Sequence, residues 1–157
     1  MTRQALLLFA MKDAEMEPML ARILVIDDEP DMCWVLEHIL RPVGYAVTTT
    51  TRGAEALQLA AGGSYAVAFV DAKLADLDGL ELASMIRQRS PHTAIVLISG
   101  YFYKEDRAIA EGLEQNLFAG FIAKPFDLTD VRRMARRAAE QAGVKNNADE
   151  SYSVGGR

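Results

Sequence analysis

Tyr65-Ala66-Val67-Ala68-Phe69-Val70-Asp71 is the stretch that decides the fold. An apolar run with no polar break, ending on one carboxylate, has the composition of a strand buried on both faces, as in a parallel sheet covered by helices. Such a strand tolerates little charge within it. Asp71 therefore belongs at its carboxyl end, where the backbone leaves the core. In open parallel α/β sheets that edge is where ligands bind. Taken alone, Asp71 is better explained as the first residue of a turn, a place that aspartate favours. The balance changes only if other strands bring partners to the same edge.

Outward from this run, strands and helices alternate. Upstream, Arg22-Ile23-Leu24-Val25-Ile26 is again apolar until it meets acid, at Asp27-Asp28-Glu29. Pro30 fits the first turn of a helix, and the acids beside it complement that helix's dipole. Met32, Val35, Leu36, Ile39 and Leu40 repeat at helical spacing, and Pro42 and Gly44 stop the helix. Tyr45 to Thr50 is strand-like, and Gly53 to Ala61 reads as a second helix closed by Gly62-Gly63. Downstream, after a turn at Asp78-Gly79, Leu80, Leu82, Ala83 and Ile86 give a third helix ending near Ser90-Pro91. Thr93 to Ser99 is a fourth strand, Lys104 to about Gln115 a fourth helix, and Ala119 to Lys124 a short fifth strand. Leu128, Val131, Met134, Ala135 and Ala138 are the expected inner face of a last helix. Strict alternation at this spacing implies parallel strands, right-handed crossovers and helices on both faces, an α/β doubly wound sheet.

The 157 residues are enough to bury a core without staples. Half are hydrophobic and a quarter charged, which is ordinary for a soluble globular domain. The expected organisation is an N-terminal extension over 1–21, one domain over 22–142 and a polar, Gly-rich disordered tail over 143–157. Met19, just before the first strand, offers an alternative start of translation. The net charge of −5 argues against a dedicated nucleic-acid binder. A lone cysteine, Cys33, excludes an internal disulfide and fits a reducing compartment. The apolar segment Ala5 to Met11 is too short for a membrane span and leads into Lys12, Asp13 and Glu15 without a cleavage site. The expectation is a cytoplasmic protein.

The strand ends can now be read together: Asp27-Asp28, Asp71, Ser99 and Lys124. With the first and third strands adjacent, the acids converge at the switch point of the sheet. Crowded carboxylates repel, so either one is held protonated or a cation sits among them. Mg2+, which takes one or two carboxylates and keeps several waters, fits best. An ionised aspartate there is a nucleophile toward phosphorus that needs no general base. Lys124 would neutralise charge on the phosphoryl oxygens, and Ser99 would donate a hydrogen bond to them. Each residue has a plainer explanation, as a helix cap, a turn residue or a surface lysine. Their common place at the ends of successive strands favours a site.

These motifs carry a resemblance. Ile26-Asp27-Asp28-Glu29-Pro30, Asp71 with Asp78-Gly79, Ser99-Gly100 and Lys124-Pro125-Phe126 together resemble the receiver domain of bacterial two-component response regulators, over about residues 22–141. The resemblance implies a flavodoxin-like sheet of strand order 2-1-3-4-5. It implies that Asp71 is the phosphoacceptor, that Asp28 binds Mg2+ directly and Asp27 largely through water, and that the backbone carbonyl of Lys73 completes the metal site. Ser99 and Lys124 would engage the phosphoryl group. Phe121 stands where the family has an aromatic that changes orientation on activation; from the residues alone it is a half-buried strand position. The implied protein is a stand-alone receiver, similar to chemotaxis regulators, that takes phosphate from a sensor histidine kinase or histidine phosphotransfer protein. Small phosphodonors would also serve, and the phosphoaspartate would slowly hydrolyse itself. Its output would pass through the face of the fourth helix, fifth strand and last helix, to a protein target or in a self-dimer, with no direct contact to nucleic acid or membrane. Two alternatives stay open: a receiver-like module that works by binding alone, and a Mg2+-dependent phosphohydrolase, which typically carries an acid where this chain has Lys73.

The chain departs from the family pattern in places. Ala75 replaces a customary proline four residues after the acceptor, which should soften that loop. Lys73 and Tyr101 are expected to face the entrance to the acceptor and to set the lifetime of the phosphorylated form. The span from Ser99 to Lys124 is longer than usual, with Glu111 to Asn116 as the expected extra length and Tyr101-Phe102-Tyr103 either packed or facing a partner. Arg132, Arg133, Arg136 and Arg137 form a basic stripe that reads first as a solvated face. His38 and His92 read as structural or surface residues, and Cys33-Trp34 as packing.

Overall fold

The computed structural model describes residues 2–5, 20–100 and 107–143. Its strands are β1 (Arg22–Ile26), β2 (Ala46–Thr50), β3 (Val67–Asp71), β4 (Ala94–Ser99) and β5 (Gly120–Ala123). Its helices are α1 (Pro30–Leu40), α2 (Gly53–Gly62), α3 (Gly79–Arg89), α4 (Arg107–Glu114) and α5 (Leu128–Gln141). All strand pairs are parallel, in the order β2-β1-β3-β4-β5. The doubly wound α/β fold and the flavodoxin-like order expected from sequence are both present.

Why β3 and β4 lack polar residues until their ends follows from the two cores. Side chains alternate across a strand. Ile23, Val25, Val67, Phe69, Val96 and Ile98 pack with Leu36 and Leu40 of α1 and Val131, Ala135 and Ala138 of α5. Leu24, Ile26, Ala68, Val70, Ile95 and Leu97 pack on the opposite face with Ala56 of α2, Leu82 and Ile86 of α3 and Ile109 of α4. Every residue of β3 and β4 is buried. Phe69 is among the largest side chains wholly removed from water, and its truncation to Ala would cost about 3–5 kcal/mol.

Register then sets the site. Ile26 pairs with Val70, so the next residues, Asp27 and Asp71, leave the sheet side by side. Asp71 pairs with Ile98, and Ser99 pairs with Ala123, which places Lys124 one residue further on. The Lys124 N–H donates to the Ser99 carbonyl at 3.0 Å, and the Lys124–Pro125 peptide is cis.

Some local expectations are corrected. Trp34 does not pack in the core: it is 59% exposed and stacks on His38 with ring centroids 3.8 Å apart. Its neighbour Cys33 is buried as expected. Leu128 is also exposed, because it opens α5 before the apolar stripe turns inward; Ala139 is buried at the other end. Arg132 is more than a solvated charge, since its Nε donates to the Ile39 carbonyl near the end of α1 at 3.0 Å. Arg133 and Arg136 do pair at the surface, with Asp130 and Glu140. Tyr101, Phe102 and Tyr103 lie outside the described residues, as do most of the expected N-terminal extension and nearly all of the C-terminal tail. Of the expected extra length, Glu111 to Glu114 is helical, and Asn116 turns the chain with φ of 58°.

Candidate functional site

Four strand ends build the site. Asp27 follows β1 and is held from two sides. Its Oδ1 accepts the Glu29 N–H at 3.0 Å, a local turn that starts α1, and its Oδ2 accepts from Lys124 Nζ at 3.0 Å. The helix is therefore led in by Asp27, while Glu29 at the cap position makes no side-chain capping bond. Cys33 reinforces the same point, its thiol donating to the Asp27 carbonyl at 3.3 Å. Asp71 ends β3; its Oδ1 accepts the Lys73 N–H at 3.0 Å, and its Oδ2 faces Lys124 Nζ at 3.3 Å.

Asp27 is 1% exposed and Asp71 6%, whereas Asp28 is open to solvent. Carboxylate oxygens of Asp27, Asp28 and Asp71 lie within 4.8 Å of one another. Burial is the main reason that Asp27 holds its proton above the ordinary carboxylate range; the Glu29 N–H and Lys124 pull the other way, and the Asp71 charge adds to the rise. For Lys124, burial opposes the charge, but the hydrogen bond and charge of Asp27, then those of Asp71, outweigh it and raise its pKa. Burial first, and then the Asp27 charge, push the Cys33 thiol up, so it is a packed donor rather than a thiolate.

A cavity of about 460 Å³ opens onto these groups, lined by Asp28, Asp71, Lys73, Ala75, Gly100 and Lys124. Ser99 is buried at the last position of β4, one register step from Asp71. Phe121 is half-buried on β5, against the core shared with Leu82 and Ile109. Asp28, Asp71, Lys73 and Lys124 thus line one mouth, with Asp27 buried but close to the other two acids, while Ser99 and Phe121 do not line it. An all-oxygen donor set on crowded, partly buried carboxylates suits a hard divalent cation such as Mg2+.

The sequence reading missed Asp76. Its Oδ1 accepts the Gly53 N–H at 3.0 Å and its Oδ2 the Ala54 N–H at 3.2 Å, capping α2 from the loop that follows β3. These bonds, Gly53 first, hold its carboxyl below the ordinary range against a smaller opposing effect of burial. One signal was available: α2 begins after Arg52, which offers no capping oxygen, so its first N–H groups had to be satisfied from elsewhere.

Fold and site together define an α/β protein with an acidic, cation-compatible crevice at the carboxyl edge of its sheet. The family model of the response regulator receiver domain matches residues 23–136, and the chain belongs to that family, the receivers of two-component systems. It is 30% identical over 123 residues to the uncharacterized transcriptional regulatory protein YkoG of Bacillus subtilis, covering 78% of this chain and 53% of YkoG. It is 31% identical over 114 residues to the DNA-binding transcriptional regulator NtrC of Escherichia coli, covering 73% of this chain and 24% of NtrC. The chain thus spans about half the length of one relative and a quarter of the other. Among solved structures, the Thermotoga maritima response regulator TrrA in complex with Mg2+ and BeF aligns with a TM-score of 0.67 and 28% identity, over 76% of this chain and 99% of that one. A CheY-like receiver domain from Methanospirillum hungatei aligns with a TM-score of 0.73 at 24% identity, over 80% and 98%, and supports the fold. Receiver domains bind Mg2+ at this acidic pocket, and phosphorylation on aspartate is general for them. Among the described residues no helix is long and apolar enough to cross a membrane.

Proposed function

We infer that Asp71 accepts a phosphoryl group from the phosphohistidine of a sensor histidine kinase or histidine phosphotransfer protein, and that the chain then switches a protein-interaction face. The observation that carries this reading is the Asp71 carboxylate, ending the central strand at an open mouth with the Lys124 ammonium 3.3 Å away. In the transfer, a carboxylate oxygen of Asp71 forms a bond to phosphorus. The P–N bond of the donor breaks, and its electron pair returns to the imidazole nitrogen, which takes up a proton. Asp28, Asp27, Asp71 and the Lys73 carbonyl are the groups that would hold Mg2+. When bound, the ion supplies positive charge that offsets both the carboxylates and the phosphoryl oxygens. Lys124 neutralises a phosphoryl oxygen, and Ser99 donates to another. The Lys73 N–H keeps the acceptor carboxylate oriented.

Output runs through the face of α4, β5 and α5, where Phe121 sits beside Met134 and Arg137 at a shallow groove. A local charge change at Asp71 biases a two-state equilibrium that this face reports, to a protein target or a second copy. The folded unit is residues 22–142, acting in the cytoplasm. Lys73, where a phosphohydrolase of this type would carry an acid, speaks against that alternative.

Incubation with Mg2+ and a small phosphodonor such as acetyl phosphate, followed by intact mass, tests the acceptor. Wild type should gain one phosphoryl group and Asp71→Asn none. An adduct on both proteins, or on neither, overturns Asp71 as acceptor; the second result returns the binding-only module.

A further inference from the structure

The loop from Ala72 to Asp78 connects the acceptor to α3 and bears the Lys73 N–H that orients the Asp71 carboxylate. At its base the loop closes on itself: the Gly79 N–H donates to the Ala72 carbonyl at 3.0 Å, and Lys73 and Asp78 form an isolated antiparallel bridge. Asp78 also caps α3, accepting the Leu80 N–H at 2.8 Å. Between these fixed ends, at the tip, Ala75 and Asp76 are exposed. There the Asp76 carboxylate reaches across 23 residues of sequence to Gly53. The approach depends on Gly53 having no side chain, since a Cβ there would come within 2.9 Å of Leu77 Cδ1 and 3.3 Å of Asp76 Oδ1.

We propose that Asp76 is a positioning residue for the acceptor site: by clamping the loop tip to the first two N–H groups of α2, it holds the Lys73 backbone in register with the Asp71 carboxylate. The proposal rests on the acceptor reading above for its functional consequence, though not for the clamp itself. A carboxylate accepting two N–H bonds at a helix start also meets a favourable dipole. The clamp therefore supplies the stiffness that Ala75, in place of proline, does not. Asp76 touches neither the acceptor nor the cation site. Its effect reaches them through the four residues that separate it from Asp71.

The experiment compares full-length wild type, Asp76→Ala, Asp76→Asn and, as a remote control of similar stability cost, Ile39→Val in the core under α1. Amide hydrogen exchange of Lys73 is read first, without metal. Asp76→Ala should raise it about tenfold, Asp76→Asn, which keeps one acceptor oxygen, should fall between, and Ile39→Val should match wild type. Mg2+ affinity by calorimetry should then weaken roughly tenfold in Asp76→Ala and stay unchanged in Ile39→Val. Lys73 exchange within twofold of wild type in Asp76→Ala, or an equal rise in Ile39→Val, overturns the clamp. Loss of the clamp with full Mg2+ affinity retained overturns its positioning role. A wild type that binds no Mg2+ overturns the acceptor reading instead, while Lys73 exchange still decides the clamp.

Discussion

Lys124 Nζ lies closer to Asp27 Oδ2, at 3.0 Å, than to Asp71 Oδ2, at 3.3 Å. The ammonium is shared, and its shorter contact is with the carboxylate that is not the proposed acceptor. Both acids are nearly buried, and among the described residues no other cation pairs with either. Lys124→Met should lower metal-free stability by about 2–3 kcal/mol, somewhat less than a fully buried broken pair because the site opens to water. Millimolar Mg2+ should restore much of that loss by taking over the neutralising role. Urea denaturation with and without Mg2+ checks this; an equal deficit in both conditions would contradict it.

The pH dependence follows from the same pair. Asp27 is raised above its ordinary 3.8, chiefly by burial. Above pH 3.8 the unfolded chain has lost a proton that the folded chain still holds, so this group's stabilisation is complete below that pH. It is lost as pH rises through the folded value. Lys124 is raised above 10.5, with burial outweighed by Asp27 and Asp71, so its stabilisation is complete below 10.5 and fades on the alkaline side. Mg2+ competes with the Asp27 proton. Its affinity should therefore climb with pH across the range just above 3.8, with protons released on binding. Calorimetric titrations in two buffers of different ionisation enthalpy measure that release.

Gly79 opens α3 directly beneath the acceptor. A Cβ at this position would overlap the Asp71 carbonyl oxygen and the Ala72 backbone, and neither can swing aside as a side chain can. Gly79→Ala should destabilise by about 2–3 kcal/mol and reduce phosphoryl acceptance, because the relieving shift moves Asp71 itself. Gly62→Ala, where a Cβ meets nothing within 4 Å, is the contrasting case. It should stabilise by up to about 1 kcal/mol, as expected for alanine over glycine in a helix. Denaturant midpoints for the two variants should move in opposite directions.

Lys73 is exposed and lines the mouth over Asp71. A long side chain at the mouth is expected to restrict the approach of water to a phosphoaspartate. Lys73→Ala should shorten the phosphorylated lifetime about threefold, equivalent to roughly 0.7 kcal/mol of barrier. Dephosphorylation followed after donor removal decides it, and an unchanged rate would sink the idea.

Much of this was legible in the chain because burial on both faces leaves a strong mark. A strand such as Val67–Asp71 cannot hide a polar residue, so its boundary with solvent is written as an abrupt acid. Strand order was a different matter: alternation implies parallel pairing, but the 2-1-3-4-5 order came from the family resemblance. Trp34 and Leu128 were misjudged for related reasons. Helical spacing identifies a face, yet a large apolar side chain at its margin or in the first turn can remain in water. Arg132 and Asp76 were opaque because their partners are backbone groups of distant segments. A carbonyl or an N–H has no letter in the sequence.

The sheet has two rims, and β5 is one of them, four residues long and, among the described residues, laddered only to β4. The ammonium that pairs with both Asp27 and Asp71 is attached to its end. Fraying begins where ladder partners are fewest. The buried charges of the core edge therefore lean on the least anchored strand, and any event at Asp71 that redirects Lys124 pulls first on that strand. The molecule concentrates its compliance at one rim, while the central strand that ends on Asp71 stays gripped from both sides.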